Sequence, residues 1–135
     1  NNIFMNSSEL KLNNINIVLI NSDFVCGFEI KRNKLYNILK KKNITVSYEP
    51  DIYAAVNMKF YYNKSYEQQL GICHCEKKCK GKGDGLLTCK KITISIFQSG
   101  SIIITGAKSN IQKNEAYNFI NKIIKNNYRD IYKVS

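Results

Sequence analysis

Four cysteines and the chain's single histidine cluster in one stretch, Cys73-His74-Cys75-x3-Cys79, with Cys89 ten residues further on. Gly81, Gly83 and Gly85 and several lysines surround them, so this stretch has no core of its own. Four thiols in an otherwise unsupported loop suit a tetrahedral structural Zn2+ ion held by Cys73, Cys75, Cys79 and Cys89. The spacing is not the usual pair of Cys-x2-Cys knuckles. Disulfides and unliganded thiols are the competing readings, and an intracellular protein would keep its thiols reduced. His74 is either a spare group or a ligand replacing a neighbouring cysteine. A catalytic zinc would need an open coordination position and an acid–base partner. Glu76 and Asp84 are available, but no spacing places them, so the chain is not read as an enzyme. Cys26 stands apart in an apolar segment, as a small core residue would.

The elements that would carry such a loop are legible on both sides. Lys91–Lys108 alternates strictly: Ile92, Ile94 and Ile96 on one side, Thr93, Ser95 and Phe97 on the other. A Ser-Gly turn signal and Ile102-Ile103-Ile104-Thr105-Gly106 complete a hairpin with one apolar and one small polar face. Burial accounts for the isoleucines but not for Phe97. It is either a half-exposed aromatic at a hairpin tip or a wedge. An apolar ring standing off a smooth face of Thr, Ser, Val and Ile is what prises open a base step in the minor groove. Phe97 and Ile103 share a face only if the loop between the strands is odd in length.

Further strands are expected at Asn14–Ile20, Phe24–Ile30, Ile44–Tyr48 and Ile52–Tyr62, the last following the only proline, Pro50. Lys31–Lys42 fits a basic amphipathic helix with Leu35, Ile38 and Leu39 in a stripe. Asn110–Tyr128 fits a second, opened by Ser109 and Gln112 in capping-box spacing and lined by Ala116, Phe119, Ile120, Ile123 and Ile124. The expected fold class is α+β: an antiparallel sheet with two helices on one face and the other face open. Residues 1–13 read as a linker or upstream segment. Residues 14–135 read as one domain interrupted by an insertion at about 66–90.

The 135 residues carry 21 Lys and Arg against 10 Asp and Glu, a net charge of +11. That balance favours a polyanionic partner, most often nucleic acid. Heavy use of Asn, Lys and Ile also fits the codon bias of an A·T-rich genome, which supplies positive charge without a functional cause. No apolar run approaches the length of a membrane span, and no signal peptide is visible. A start at Asn1 rather than Met reads as a fragment of something longer.

Three ordered motifs resemble a known family. Ile96-Phe97-Gln98-Ser99-Gly100 and Ile103-Ile104-Thr105-Gly106-Ala107-Lys108 are similar to the hairpin repeated in the TATA-box-binding protein family. Ser47-Tyr48-Glu49-Pro50-Asp51-Ile52-Tyr53 resembles a segment of its second repeat, and Asn16-Ile17-Val18 its first strand. The Cys-rich insertion looks most like versions carried by large DNA viruses. The resemblance implies half of a saddle: one curved antiparallel sheet with helices on its convex side. The other half would be a second repeat in the same chain or a second copy. It implies a transcription initiation factor that binds and bends double-stranded A·T-rich DNA through the minor groove. Phe97 and Tyr53 align with kinking aromatics, Asn16 with a base-reading asparagine, and Val18, Ile103 and Thr105 with groove-lining positions. Lys59 aligns with a phosphate-binding arginine, and Glu49, Asp51 and Ile52 with the edge that docks transcription factor IIB. Location would be the nucleus or cytoplasmic virus factory of an infected cell, with packaging in the virion left open. Ser95 replaces a groove-contacting leucine and Tyr53 replaces a phenylalanine. Those departures keep a second reading open, a protein–protein adaptor that retains the fold without bending DNA. A third reading is an enzyme carrying an appended domain of this kind, its catalysis lying outside this segment.

Overall fold

Alternating isoleucines demand a cover, and two helices supply it. In the computed structural model, which describes residues 19–76 and 79–134, the elements run β1 (Ile20–Val25), β2 (Glu29–Ile30), α1 (Arg32–Lys41), β3 (Thr45–Ser47), β4 (Val56–Tyr62), β5 (Lys90–Ile96), β6 (Ser101–Ala107), α2 (Asn110–Asn126), α3 (Tyr128–Ile131) and β7 (Tyr132–Lys133). Five strands form one antiparallel sheet in the order β1-β6-β5-β4-β3, and β2 pairs with β7 in a small second sheet. Val56, Met58 and Phe60 of β4, the isoleucines of β5, and Ile102 and Ile104 of β6 are fully buried. They share one core with Leu35 and Leu39 of α1 and with Ala116, Ile120 and Ile124 of α2. The fold class is as expected: α+β, an antiparallel sheet covered on one face.

Local chemistry sets the boundaries. The Ser109 hydroxyl accepts from the Gln112 backbone N–H, capping α2. The reciprocal half of the capping box is displaced. The Gln112 side-chain carbonyl accepts from Lys108 N–H at 2.8 Å, one residue before the cap. Its amide donates to the Asp84 carbonyl in the insertion, also at 2.8 Å. Gln112 therefore fastens the insertion to the start of α2. Helix α2 ends at Asn126, not Tyr128, because the Asn127 side chain donates to the Ile123 carbonyl and a separate turn follows.

The first strand among the described residues is Ile20–Val25; residues 14–18 of the strand expected at Asn14–Ile20 lie outside them. Three other strand expectations are corrected. Phe24–Ile30 is not one strand: Phe24 and Val25 end β1, the chain turns at 26–28, and Glu29–Ile30 extends separately against β7. The strand expected from Ile52 starts at Val56, because the Glu49 carbonyl accepts from both Ile52 and Tyr53 N–H and makes a turn there. The segment expected at Ile44–Tyr48 is strand only over Thr45–Ser47. Asn16 and Val18 lie outside the described residues, as does the whole segment read as a linker, residues 1–13.

Candidate nucleic-acid interface and metal centre

Opposite the helices the sheet carries no cover among the described residues. Period-two alternation puts Asn57, Lys59 and Tyr61 of β4, Lys91, Thr93 and Ser95 of β5, and Ile103 and Thr105 of β6 on that open face. The register lines them up in rows. Asn57 pairs with Ser95, Ser95 with Ile103, and Ile103 with Asp23; Lys59 pairs with Thr93, and Thr93 with Thr105. In β1 the exposed residues are Asn21, Asp23 and Val25. The Asn21 side-chain oxygen accepts from Gly106 N–H at 3.4 Å, beside the bulge that shifts the β1–β6 register. The Lys59 ammonium donates to the Thr93 hydroxyl at 2.9 Å. Burial, and then the nearby Lys91 charge, pull its pKa below the usual lysine value. The Asn57 carboxamide oxygen is buried without a hydrogen-bond partner.

The hairpin loop settles the parity of the face. Phe97 N–H donates to the Ser101 carbonyl at 2.9 Å, and Gly100 N–H donates to the Phe97 carbonyl at 3.0 Å. Three residues, Gln98, Ser99 and Gly100, lie between Phe97 and Ser101, so Phe97 falls on the side of Ser95 and Ile103. Gly100 sits at φ 93°, where a side chain is strained, and a Cβ there would lie 2.4 Å from the Phe28 carbonyl oxygen. Tyr53 approaches from the turn before β4. Because Val56 pairs with Ile96, Tyr53 and Phe97 reach the same end of the sheet. Their rings meet edge to face, centroids 5.8 Å apart at 72°. Tyr53 is 45% exposed and Phe97 half-buried.

One residue that sequence reasoning missed holds both loops. The Arg32 guanidinium donates to the Ala54 carbonyl, next to Tyr53, and to the Gln98 side-chain oxygen at 3.0 Å, next to Phe97. It also lies over the Tyr48 ring, 5.3 Å from its centroid. No sequence signal marked it, since it reads as one more cation of a basic helix. On the outer side of the turn, Glu49, Asp51 and Ile52 are exposed, Ile52 at 79%.

At the far end of the strands the insertion gathers the four cysteines. Cys73, Cys75, Cys79 and Cys89 present sulfurs that all lie within 4.8 Å of one another. Contacts along the cluster are 3.4 Å for Cys73–Cys79 and 3.8 Å for both Cys75–Cys79 and Cys75–Cys89. No pair is at bonding distance; all four thiols, and Cys26, are free. A tetrahedral ion with metal–sulfur bonds of about 2.3 Å has sulfur edges of about 3.8 Å, so the spacing fits such an ion. The surroundings fit as well. The Tyr66 hydroxyl oxygen accepts from His74 N–H at 2.8 Å, which leaves its proton for sulfur; it lies 3.1 Å from Cys89 Sγ and 3.5 Å from Cys75 Sγ. Burial first, then those sulfur contacts, push the Tyr66 pKa up and keep the phenol a donor. The Asn63 side-chain amide donates to Cys89 Sγ at 3.9 Å. Burial raises Cys89, while hydrogen bonds from Cys79 and Cys75 outweigh burial at Cys73 and lower it. The His74 ring packs against Tyr66 instead of joining the sulfurs, centroids 5.1 Å apart.

Residues 14–127 match the family model described as "Transcription factor TFIID (or TATA-binding protein, TBP)". A "TATA-box-binding protein-like" protein of Acanthamoeba polyphaga mimivirus is 32% identical over 130 residues, covering 92% of this chain and 30% of its own length. The chain thus spans about a third of that relative. No solved structure is a significant match. Among the described residues no helix is long and apolar enough to cross a membrane. The ordered motifs, the open sheet face and the extent of the family match agree: the chain belongs to the TATA-box-binding protein family.

Proposed function

We propose that this chain is a transcription initiation factor whose open sheet face enters the minor groove of A·T-rich duplex DNA and bends it. The observation that carries the reading is the Tyr53–Phe97 pair, standing at one end of a face otherwise made of small polar and aliphatic side chains. Such a face suits a groove with few hydrogen-bonding groups, and paired rings suit a kinked base step. Ile103 and Thr105 line the groove and Lys59 supplies a phosphate contact. Asn21, exposed beside Gly106, takes a base-edge role in the region described, with Asn16 and Val18 as further candidates upstream. Sequence preference comes mainly from the ease of deforming A·T-rich steps.

The exposed Glu49, Asp51 and Ile52 turn serves as the docking edge for a transcription factor IIB-like protein. The cysteine cluster holds one structural Zn2+, which braces the insertion and does no chemistry on DNA. A second repeat, in the same chain or in a second copy, completes the saddle; the chain's 30% share of its viral relative leaves room for it. That relative points to an infected cell as the place of action. The proposed activity involves no covalent chemistry.

One observation favours the adaptor reading. Asp23 is exposed on the open face opposite Ile103, where a carboxylate opposes the negative potential of the groove. Energy transfer across end-labelled A·T-rich and G·C-rich duplexes separates the two. Bending confined to the A·T-rich duplex is expected. Equal, unbent binding to both would leave the adaptor role in its place.

A further inference from the structure

The helix side of the molecule carries a groove that the DNA reading does not use. It opens where the insertion crosses α2 beside the end of α1, and its volume is about 470 Å3. Leu70, Ile72, Phe119 and Ile123 make an apolar floor, with Lys42 and Lys122 beside it. No residue of the open sheet face lines it.

The wall that the insertion contributes is fastened on both sides of Leu70. The Gln69 side-chain amide donates to the Asn63 carbonyl at 2.7 Å, and the Gln69 side-chain oxygen accepts from Asn63 N–H at 3.3 Å. The Gly71 carbonyl accepts from Tyr61 N–H at 3.1 Å. Gly71 has a φ of 80°, and a Cβ there would lie 3.1 Å from the Phe119 ring. Phe119 packs in turn on the buried Phe60, ring centroids 5.0 Å apart. Between these two fastened neighbours Leu70 stays 48% exposed, next to the half-buried Ile72 and Phe119. A contiguous apolar patch on a fixed wall is a contact surface prepared in advance.

Charge selects the occupant. Lys42 and Lys122 are exposed, and no carboxylate lines the groove. Lys40 and Lys41 precede Lys42 in the last turn of α1, a helix without an acidic residue. The one carboxylate of α2, Glu115, stands about 10 Å along the helix from Lys122. An apolar floor flanked by cations fits an apolar side chain flanked by carboxylates.

We propose that this groove docks a short acidic amphipathic segment of a partner protein, with an apolar side chain against Leu70 and Phe119 and carboxylates on Lys42 and Lys122. Docking here leaves the open face free, so partner and DNA bind at the same time. The inference goes beyond the minor-groove reading and does not depend on it.

The test uses the full chain and a short fluorescein-labelled peptide of glutamates around a central leucine–phenylalanine pair, read by anisotropy. Lys42→Glu/Lys122→Glu should weaken binding roughly tenfold, and Lys42→Arg/Lys122→Arg should retain it. Leu70→Ser should weaken it roughly fivefold, as should serines in place of the apolar pair of the peptide. Lys34→Glu/Lys82→Glu makes the same charge change at two exposed lysines that do not line the groove, and it should leave binding within about twofold. An A·T-rich duplex should not displace the peptide. Equal losses in the two charge-reversed pairs, or equal binding of the serine peptide, would reduce the groove to a general cationic surface and overturn the proposal. Displacement by the duplex, or no binding to the wild-type chain, would overturn it as well. None of these results bears on bending of A·T-rich DNA, so the groove and the minor-groove reading fail separately.

Discussion

Replacing Phe97 by alanine separates a wedge from a packing residue, because the two roles predict different magnitudes in different assays. In the free protein the ring is half-buried and meets Tyr53 edge to face at 5.8 Å. Such a pair contributes about 0.5–1.5 kcal/mol beyond area. With partial loss of apolar burial, Phe97→Ala should cost about 1–2 kcal/mol of stability. That lowers the melting temperature by several degrees and leaves the domain folded. On DNA the term is larger. Holding a base step unstacked costs a few kcal/mol, and the inserted ring is what makes the kinked state competitive. Removing it should close that kink, reducing the bend by at least about 20° and weakening A·T-rich binding roughly ten- to a hundredfold. Phe97→Leu, still apolar, should retain part of the bend. Tyr53→Ala and the double variant complete a cycle, read once by thermal melting and once by energy transfer across the duplex. Coupling in the melt but none in the bend would make the pair a packing contact. A bend unchanged by Phe97→Ala would refute the wedge.

Gly100→Ala combines a φ of 93° with a Cβ 2.4 Å from the Phe28 carbonyl, so it should lose about 1–3 kcal/mol in urea unfolding; an unchanged midpoint would mean that the loop relaxes freely. Arg32→Ala releases the loops on either side of the aromatic pair, and it should lower the bend while leaving the salt slope intact; a slope reduced by about one would make Arg32 a phosphate contact instead. Reduced protein should carry one zinc per chain by elemental analysis. Cys75→Ser or chelation should abolish amide protection across 63–89 and spare β4, β5 and β6, since the sheet and helices form their own core; a sheet that melts with the metal would contradict this.

The parts legible in the sequence are those where one local rule dominates. Ile92, Ile94 and Ile96 alternate without interruption, and Ser109 caps its helix through a neighbour three residues on, so the hairpin and α2 follow from pattern alone. The cysteines announce themselves by type. Around them, Tyr66 and Asn63 were invisible, because hydrogen bonds to sulfur depend on how the loop closes. β2 and β7 are two residues each, too short for any period to show. Arg32 matters through partners far along the chain, which composition reports only as charge.

The two rims of the five-stranded sheet are unlike. On one, β3 is three residues long, and beyond it Tyr61 N–H is already taken by the Gly71 carbonyl of the insertion. On the other, β1 offers six residues with no strand beyond it among those described. Strand addition needs an open rim on each molecule that joins. With one rim short and partly covered, a unit attached through β1 has no equivalent rim left to offer a third. Association by this route would close at two units instead of growing into a fibre.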